Sequence, residues 1–424
     1  MARRTVPPRI HRRLPVRSLL FLGLFAAVLA GALLLVNAGI ARQRAAEVAA
    51  AKPVIVTAPI ARDVRPPAGR HAIDYARIDA RLGQIMARRD MVGLGIAVVE
   101  DGRLSFVKGY GLVSADRPEP VTPATVFRWA SLSKGVAGTL VAELAAKGKL
   151  SLDDPVSRYS RSLKLPDGGE KRVTVAELLS HRTGIVKNAY DDRLEDNEDP
   201  RSIRRLLGTL DRYCAPGSCF TYQNVAFDAA SEVVERVTGQ PYAAVARSML
   251  FKPIGMSSAS TTREGLERSA SWARPHRGRT VRKVEDAYYR VPAAGGVNSS
   301  VFDLGLWMRA QMGEGGAIPK KVLGEIHQSR VLTPARRGRA DYDRAMERNG
   351  YGLGWREHEY AGHRLIGHRG AVDGYRSLIL FDPARKTGVA MLWNSNSNRP
   401  TGLPLEILDM LYKRPAKDWV RLDD

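Results

Sequence analysis

Apolar and polar positions follow two different periods along the chain. The stretch VGLGIAVVEDGRLSFVKGYG, from Val92 to Gly111, holds two strand-like runs joined by Asp101-Gly102, a dipeptide that tight hairpin turns prefer. Near the C-terminus, HRLIGHRG, YRSLILFD and TGVAMLWN are short β-rich runs separated by turn residues. The pattern therefore predicts strands at both ends of the folded part.

Helical spacing fills the region between these strands. It runs from Ser131 to about Leu250, punctuated by Gly and Pro, and LPLEILDMLYKR shows the same spacing near the end of the chain. No internal repeat is present. Strands at both ends with helices between them predict an α/β (α+β) fold, in which one antiparallel sheet is flanked by helices and a mainly helical insertion.

The N-terminus carries an uninterrupted apolar run from Leu19 to Val36, long enough to cross a bilayer. Arginines precede it, which predicts a cytoplasmic N-terminus and an extracytoplasmic, periplasmic domain held by a single pass through the inner membrane. Cleavage near VNAGIA, with secretion to the periplasm, is the alternative. The predicted segments are a basic segment (1–18), an anchor or signal sequence (19–40), an Ala/Pro-rich linker (41–70), a folded domain (71–412) and a tail (413–424).

The chain is strongly basic, with a formal net charge of +22, of which six arginines before the apolar run supply six. For an exported domain, this surface meets anionic lipid or cell-wall polymer rather than nucleic acid. The two cysteines, Cys214 and Cys219, form either a disulfide or two free thiols. The sequence contains no metal-ligand cluster and no cofactor motif.

Two S-x-x-K patterns compete as a nucleophile with its activating amine. Ser105 and Lys108 lie in an alternating run, and residues three apart on a strand face opposite sides. Ser131 and Lys134 lie where helical spacing begins, and residues three apart on a helix share a face. The sequence predicts that Lys134 reaches Ser131, although a plain helix cap beside a solvated lysine has the same pattern.

Two further motifs supply polar groups. Tyr222 and Asn224 form the sole Y-x-N of the chain. The phenol could relay a proton and the amide could hold a substrate carbonyl, but the same pattern is equally typical of a turn. His368, Arg369 and Gly370 form an H-R-G that runs into the strand YRSLILFD.

Along the chain, the S-x-x-K at Ser131 is followed by the Y-x-N at Tyr222 and the H-R-G at His368. This series of motifs resembles that of the class C β-lactamase and D,D-carboxypeptidase-like serine hydrolases, the penicillin-recognising fold. Those proteins carry S-x-x-K, then Y-x-N, then K-T-G or H-x-G. The resemblance runs from about Asp74 to Asn394 and includes LDDPVSRY, LLSHRTGI, PGSCFTYQN, VTGQPY, PIGMSSAS, PAAGGVNSSVFDLGLWM and YGLGW. It implies a serine hydrolase that uses no cofactor.

The resemblance also implies a role for each motif residue. Ser131 would form an acyl-enzyme, and Lys134 and Tyr222 would share the proton transfers. Asn224 would hold substrate amide groups. His368 would orient Tyr222 or bind a substrate carboxylate.

The same resemblance places the oxyanion hole at the backbone N–H groups of Ser131 and Ala371. Gly370 and Arg369 belong to the same substrate-binding strand.

Three other residues compete for these roles. Lys386 begins a literal K-T-G, but it follows Asp382-Pro383 and is typical of a turn. His276 begins a second H-R-G in an arginine-rich loop without strand character. His181 in LLSHRTGI resembles a structural family motif, so we expect a hydrogen-bonded core or turn histidine there.

A histidine in place of the K-T-G lysine accompanies, in this family, D,D-peptidases, D-amino-acid peptidases and esterases. We therefore expect hydrolysis of a D-Ala-type peptide or related amide, with small peptides, β-lactams or esters as substrates. A carboxylesterase is the second expectation. The non-enzymatic alternative is a penicillin-binding sensor or cell-wall-binding module that does not turn over.

Overall fold

The computed structural model describes Val64, residues 71–334 and residues 341–422 of the chain. The basic segment and the anchor predicted for residues 1–40 lie outside the described residues, as does the linker apart from Val64. Within the described ranges no helix combines the length and the apolar character that a membrane span requires.

The strands of the described residues are β1 Gly93–Glu100, β2 Arg103–Ser114, β3 Arg117–Pro120, β4 Val126–Arg128, β5 His276–Arg277, β6 Thr280–Val281, β7 Asn298–Ser300, β8 Val331–Leu332, β9 Asn349–Tyr351, β10 Arg356–Tyr360, β11 His363–Val372, β12 Tyr375–Asp382 and β13 Thr387–Trp393. Within these residues, nine strands form a central antiparallel sheet in the order β3-β2-β1-β13-β12-β11-β10-β9-β8. The strands β4 and β7 pair in a second sheet, and β5 and β6 pair in a third.

The sheet joins the two ends of the domain, as the sequence predicts. Strand β1 pairs with β2 on one side and with β13 on the other, so Ile96 lies opposite both Lys108 and Met391. The predicted hairpin turn is confirmed. Both of its residues, Asp101 and Gly102, have positive φ, the left-handed conformation that a two-residue hairpin needs.

Helices make up most of the remaining regular structure. Between β4 and β5, all of which is described, the chain forms helices, turns and loops and no strand. The α-helices are α1 Tyr75–Met86, α2 Ser133–Ala146, α3 Val175–Leu179, α4 Asp191–Glu195, α5 Pro200–Leu206, α6 Ala229–Thr238, α7 Tyr242–Ala246, α8 Lys252–Ile254, α9 Arg263–Glu267, α10 Pro292–Gly295, α11 Val301–Gln311, α12 Lys320–His327, α13 Asp341–Arg344 and α14 Leu403–Leu411.

The sheet has a hydrophobic core on each face. Alternate residues of β1 point to opposite sides, so Leu94 and Ile96 pack with α1 and α14 while Ala97 and Val99 pack with α2 and α11. Every residue of β1 is buried, as expected for a central strand covered on both faces.

The structure differs from the sequence predictions in two places. His276 begins a short strand, β5, rather than lying in a loop, because Gly278 with φ +60° turns the chain back into β6. Residues 413–422, which belong to the segment predicted as a tail, continue the domain. Trp419 is buried and its indole N–H donates to Asp409 of α14, a contact that the polar residues before it conceal in the sequence.

Candidate active site

Ser131 lies in a single 3₁₀ turn, Ala130–Leu132, that leads directly into α2. The preceding residue, Ala130, has φ +49°, which is unfavourable for a side chain with a β-carbon. Neighbouring contacts hold this turn in place. The Trp129 N–H donates to the Val297 carbonyl at 2.8 Å, and Ser133 Oγ donates to the Ala130 carbonyl at 2.6 Å. Such local strain is characteristic of functional sites.

Lys134 lies on the first turn of α2 and is fully buried. Its Nζ lies 3.4 Å from Ser131 Oγ, 2.7 Å from Asn224 Oδ1 and 3.0 Å from the Ala294 carbonyl oxygen. All three are oxygen atoms that can accept a hydrogen bond from the amine. The structure therefore brings the predicted serine, lysine and asparagine together.

The ring of Tyr222 adjoins the same amine. Lys134 Nζ lies 4.7 Å from its centroid, and the Arg356 guanidinium lies 5.8 Å from it. The Tyr222 carbonyl accepts a hydrogen bond from the Asn188 N–H at 2.8 Å, which fixes the backbone. Two basic side chains, Lys134 and Arg356, thus face the phenol ring of Tyr222.

Asn224 connects Lys134 to an acidic residue. Its Oδ1 accepts from Lys134, and its Nδ2 donates to Asp191 Oδ2 at 2.7 Å. Burial raises the pKa of Asp191, whereas the Asn224 hydrogen bond and the Lys134 charge act in the opposite direction. Because Asp191 can only accept when ionised, it fixes the orientation of the Asn224 amide.

Strand β11 lies directly against the Ser131 turn. A β-carbon added at Gly370 would lie 2.2 Å from the Trp129 carbonyl oxygen, so glycine is needed for this approach. Ser377 Oγ on the neighbouring strand donates to the same carbonyl at 2.6 Å. The glycine of the H-R-G motif thus allows the strand to meet the turn that carries Ser131.

The other two residues of the motif have partners of their own. His368 is buried, with Nε2 2.9 Å from the Tyr351 hydroxyl and Nδ1 2.8 Å from the Arg369 carbonyl oxygen. The Arg369 guanidinium forms an ion pair with Asp343 at 3.0 Å. Neither of the two hydrogen bonds described for His368 is to Tyr222, whose ring centroid lies 6.3 Å from that of His368.

One cleft collects seven of the eight predicted catalytic and substrate-binding residues. The eighth, Lys134, is buried, forms hydrogen bonds with two of them and lies against the ring of a third. The seven are Ser131, Tyr222, Asn224, His368, Arg369, Gly370 and Ala371. The oxyanion role of the Ser131 and Ala371 N–H groups stays a prediction.

The competing residues have other surroundings. Ser105 lies on β2 and donates to the Arg103 carbonyl, while Lys108 pairs with Asp79 at 2.7 Å. Lys386 lies in the predicted turn between β12 and β13 and pairs with Glu314 at 2.8 Å.

The two remaining histidines are held by backbone groups. His276 is buried and accepts from the Ala115 N–H at 3.0 Å. His181 is also buried and accepts from the Gln223 N–H at 3.2 Å. Burial lowers the pKa of His181 well below its usual value, and the nearby Lys134 charge adds to this effect.

Cys214 and Cys219 are joined by a disulfide. It closes a short loop immediately before Phe220 and Tyr222, both of which line the cleft. Among the described residues, no group of three or more His, Cys, Asp or Glu side chains is placed to hold a metal ion.

The sequence reasoning missed three residues of this site. Asp191 belongs to the acidic segment NAYDDRLEDNEDPR, where nothing in the pattern distinguishes it from its acidic neighbours. Tyr351 begins YGLGW, one of the stretches that carry the resemblance, so this motif was the available signal. Arg356 directly follows that motif, and nothing in the sequence marks it.

Comparisons with known proteins show which families and folds the chain is similar to. A model of the Beta-lactamase family matches residues 78–411. Protein flp of Staphylococcus aureus (strain N315) is 25% identical over 327 residues, which are 76% of this chain and 63% of flp. Esterase EstB of Burkholderia gladioli is 34% identical over 197 residues, which are 43% of this chain and 50% of EstB.

A solved structure is similar over most of the chain. The octameric penicillin-binding protein homologue from Pyrococcus abyssi has a TM-score of 0.71 and 26% identity, covering 81% of this chain and 78% of that chain. The alignments with flp and EstB span less than two thirds of either protein. The family match, the shared fold and the clustered motifs lead to one conclusion: this chain belongs to the β-lactamase family.

Proposed function

We propose that the chain is a serine hydrolase that forms an acyl-enzyme at Ser131 and cleaves D-Ala-type peptide or related amide bonds. The observation that carries the proposal is the 3.4 Å separation between Ser131 Oγ and the buried Lys134 Nζ, at a cleft that Tyr222 also lines. Membership of a family that includes serine hydrolases supports it.

The proposed reaction has two steps. Ser131 Oγ attacks the substrate carbonyl carbon and gives its proton to the pair of Lys134 and Tyr222. The tetrahedral intermediate collapses, the C–N bond breaks, and the leaving amine takes up that proton. Water then attacks the ester of Ser131, which releases the acid and restores the hydroxyl.

Electrostatics in the cleft suit this reaction. The carbonyl oxygen becomes negative in the transition state, and N–H groups at the Ser131 turn and at Ala371 are the proposed donors to it. Asn224 uses one Nδ2 hydrogen for Asp191, which leaves its second hydrogen for a substrate carbonyl.

A carboxylesterase is the second candidate, because esterase EstB is 34% identical over 197 residues of this chain. The same residues would serve, with an alcohol as leaving group. An alcohol needs less assistance from a general acid than an amine does.

One experiment separates these activities. The purified chain and Ser131→Ala are assayed with D-Ala-D-Ala peptides, nitrocefin and short-chain nitrophenyl esters. Faster turnover of the peptides supports the first proposal, and ester turnover alone supports the second. A burst of one equivalent without turnover supports the penicillin-binding sensor, and equal rates for both proteins contradict all three.

We also propose that the domain acts outside the cytoplasm, tethered through residues 19–36 or released after cleavage. The disulfide between Cys214 and Cys219 is consistent with an oxidising compartment. The cell wall or the membrane surface is then a proposed partner. Protease digestion of intact spheroplasts tests this, since a cytoplasmic domain would be protected.

A further inference from the structure

The hydroxyl of Tyr351 lies between two histidines that come from different parts of the fold. Tyr351, at the end of β9, is fully buried. Its Oη lies 3.1 Å from His181 Nε2 and 2.9 Å from His368 Nε2. His181 follows α3 on the helical side and His368 belongs to β11 of the sheet, so one phenol links both sides of the cleft.

Backbone groups at both ends fix the direction of these hydrogen bonds. The Gln223 N–H can only donate, so His181 Nδ1 accepts and the neutral ring carries its hydrogen on Nε2. Tyr351 therefore accepts from His181. At the other end the Arg369 carbonyl can only accept, so His368 carries its hydrogen on Nδ1.

In the neutral form of His368, the Tyr351 hydrogen is then directed at Nε2, and each described donor in this series meets one acceptor. Burial favours the neutral form of His181, since it lowers the pKa of that ring.

The same series holds the backbone on both sides of Tyr222. The Thr221 N–H donates to the His181 carbonyl at 2.9 Å, and the Gln223 N–H donates to its ring. The His181 and Tyr222 rings are 4.3 Å apart. A displacement of His181 therefore displaces Tyr222.

We propose that Tyr351 is a positioning residue, whose hydroxyl acts together with the Arg369 carbonyl to hold His368 in the neutral Nδ1–H form and sets the spacing between Tyr222 and β11. Its effect on turnover rests on the proposed function, whereas the state of the His368 ring does not. Tyr351 itself touches no substrate in this proposal.

The test compares Tyr351→Phe with Tyr242→Phe in the full-length chain. Tyr242 is a matched control, because its hydroxyl is also buried but has no hydrogen-bond partner among the described residues. The ring nitrogens of ¹⁵N-labelled histidines are observed by NMR, with His368→Gln to assign the signals. kcat and KM are measured with the best substrate found.

We expect wild type and Tyr242→Phe to show His368 protonated on Nδ1, and Tyr351→Phe to lose this fixed form. Because a displacement of about 1 Å costs on the order of a hundredfold in rate, kcat should fall about ten- to a hundredfold in Tyr351→Phe, with KM changed less than about twofold. Tyr242→Phe should keep both constants.

Three results would overturn the proposal. One is a wild-type His368 protonated on Nε2, which needs no variant and applies even if Tyr351→Phe does not fold. Another is a Tyr351→Phe protein in which His368 keeps the same ring protonation as in the wild type. Any loss of kcat in that protein would then come from a structural change and not from the state of His368. The third is a changed ring with unaltered kcat. A chain that turns over no substrate contradicts the proposed function and leaves the NMR comparison to decide the role of Tyr351.

Discussion

Replacing Gly370 with alanine should disable the site by pushing β11 away from the Ser131 turn. The added β-carbon would lie 2.2 Å from the Trp129 carbonyl oxygen and 2.2 Å from Ser377 Oγ. Backbone and a hydrogen-bonded hydroxyl cannot rotate out of the way as a flexible side chain would. The strand must therefore move by about 1 Å to restore ordinary contacts.

The size of the effect follows from this displacement. Overpacking at a well-packed position typically costs about 1–3 kcal/mol of unfolding free energy. A shift of about 1 Å at the reacting groups typically costs about a hundredfold in rate. Gly324→Ala is the matched control, because a β-carbon there meets nothing within 4 Å and replaces a glycine inside α12. It should gain up to about 1 kcal/mol.

The assay is the rate at which a fluorophosphonate labels each protein, followed by urea denaturation. Gly370→Ala should label about a hundredfold more slowly and unfold at lower urea, and Gly324→Ala should label like the wild type. A Gly370→Ala protein with wild-type labelling and stability would refute the close approach of β11 to Ser131.

Three further predictions address the surroundings of the site. Burial alone would raise the pKa of Glu232, but its hydrogen bond with Ser162 and the charge of Arg204 lower it to about 2. The ionised carboxylate therefore contributes about 3 kcal/mol to the free energy of unfolding above about pH 4.5, and this contribution is lost as pH falls towards 2. Urea denaturation of Glu232→Gln should show that deficit at pH 7 and less at pH 3; a deficit independent of pH would contradict it. Replacing both disulfide cysteines with serine should cost about 2 kcal/mol in thermal unfolding, and a reductant should destabilise only the wild type. Asp191→Ala should lower kcat/KM about tenfold by freeing the Asn224 amide, and an unchanged kcat/KM would show that the 2.7 Å hydrogen bond has no role.

Much of the fold could be predicted because its signals are local. The Asp101-Gly102 turn, the strand that carries His368 and the helix after Ser131 each follow from a short pattern, and the structure confirms all three. The predicted strand and helix also distinguished Ser105 from Ser131 as candidate nucleophiles. A lysine three positions after a serine can reach its hydroxyl on a helix but not on a strand.

What escaped prediction depends on contacts between distant segments. Tyr351 meets His181 across 170 positions of sequence, and no local pattern shows that pairing. Asp191 differs from its acidic neighbours only in reaching Asn224, which the fold of the loop decides. The burial of Trp419 likewise depends on α14 and not on the polar residues that precede it.

The central claim is that Ser131 is the nucleophile, and locating a covalent adduct tests it most directly. The wild type, Ser131→Ala and Ser105→Ala are treated with a fluorophosphonate, and intact mass and peptide mapping locate the adduct. The account predicts one adduct per chain on the peptide that contains Ser131, the same adduct in Ser105→Ala, and none in Ser131→Ala. An equal adduct in Ser131→Ala would contradict it.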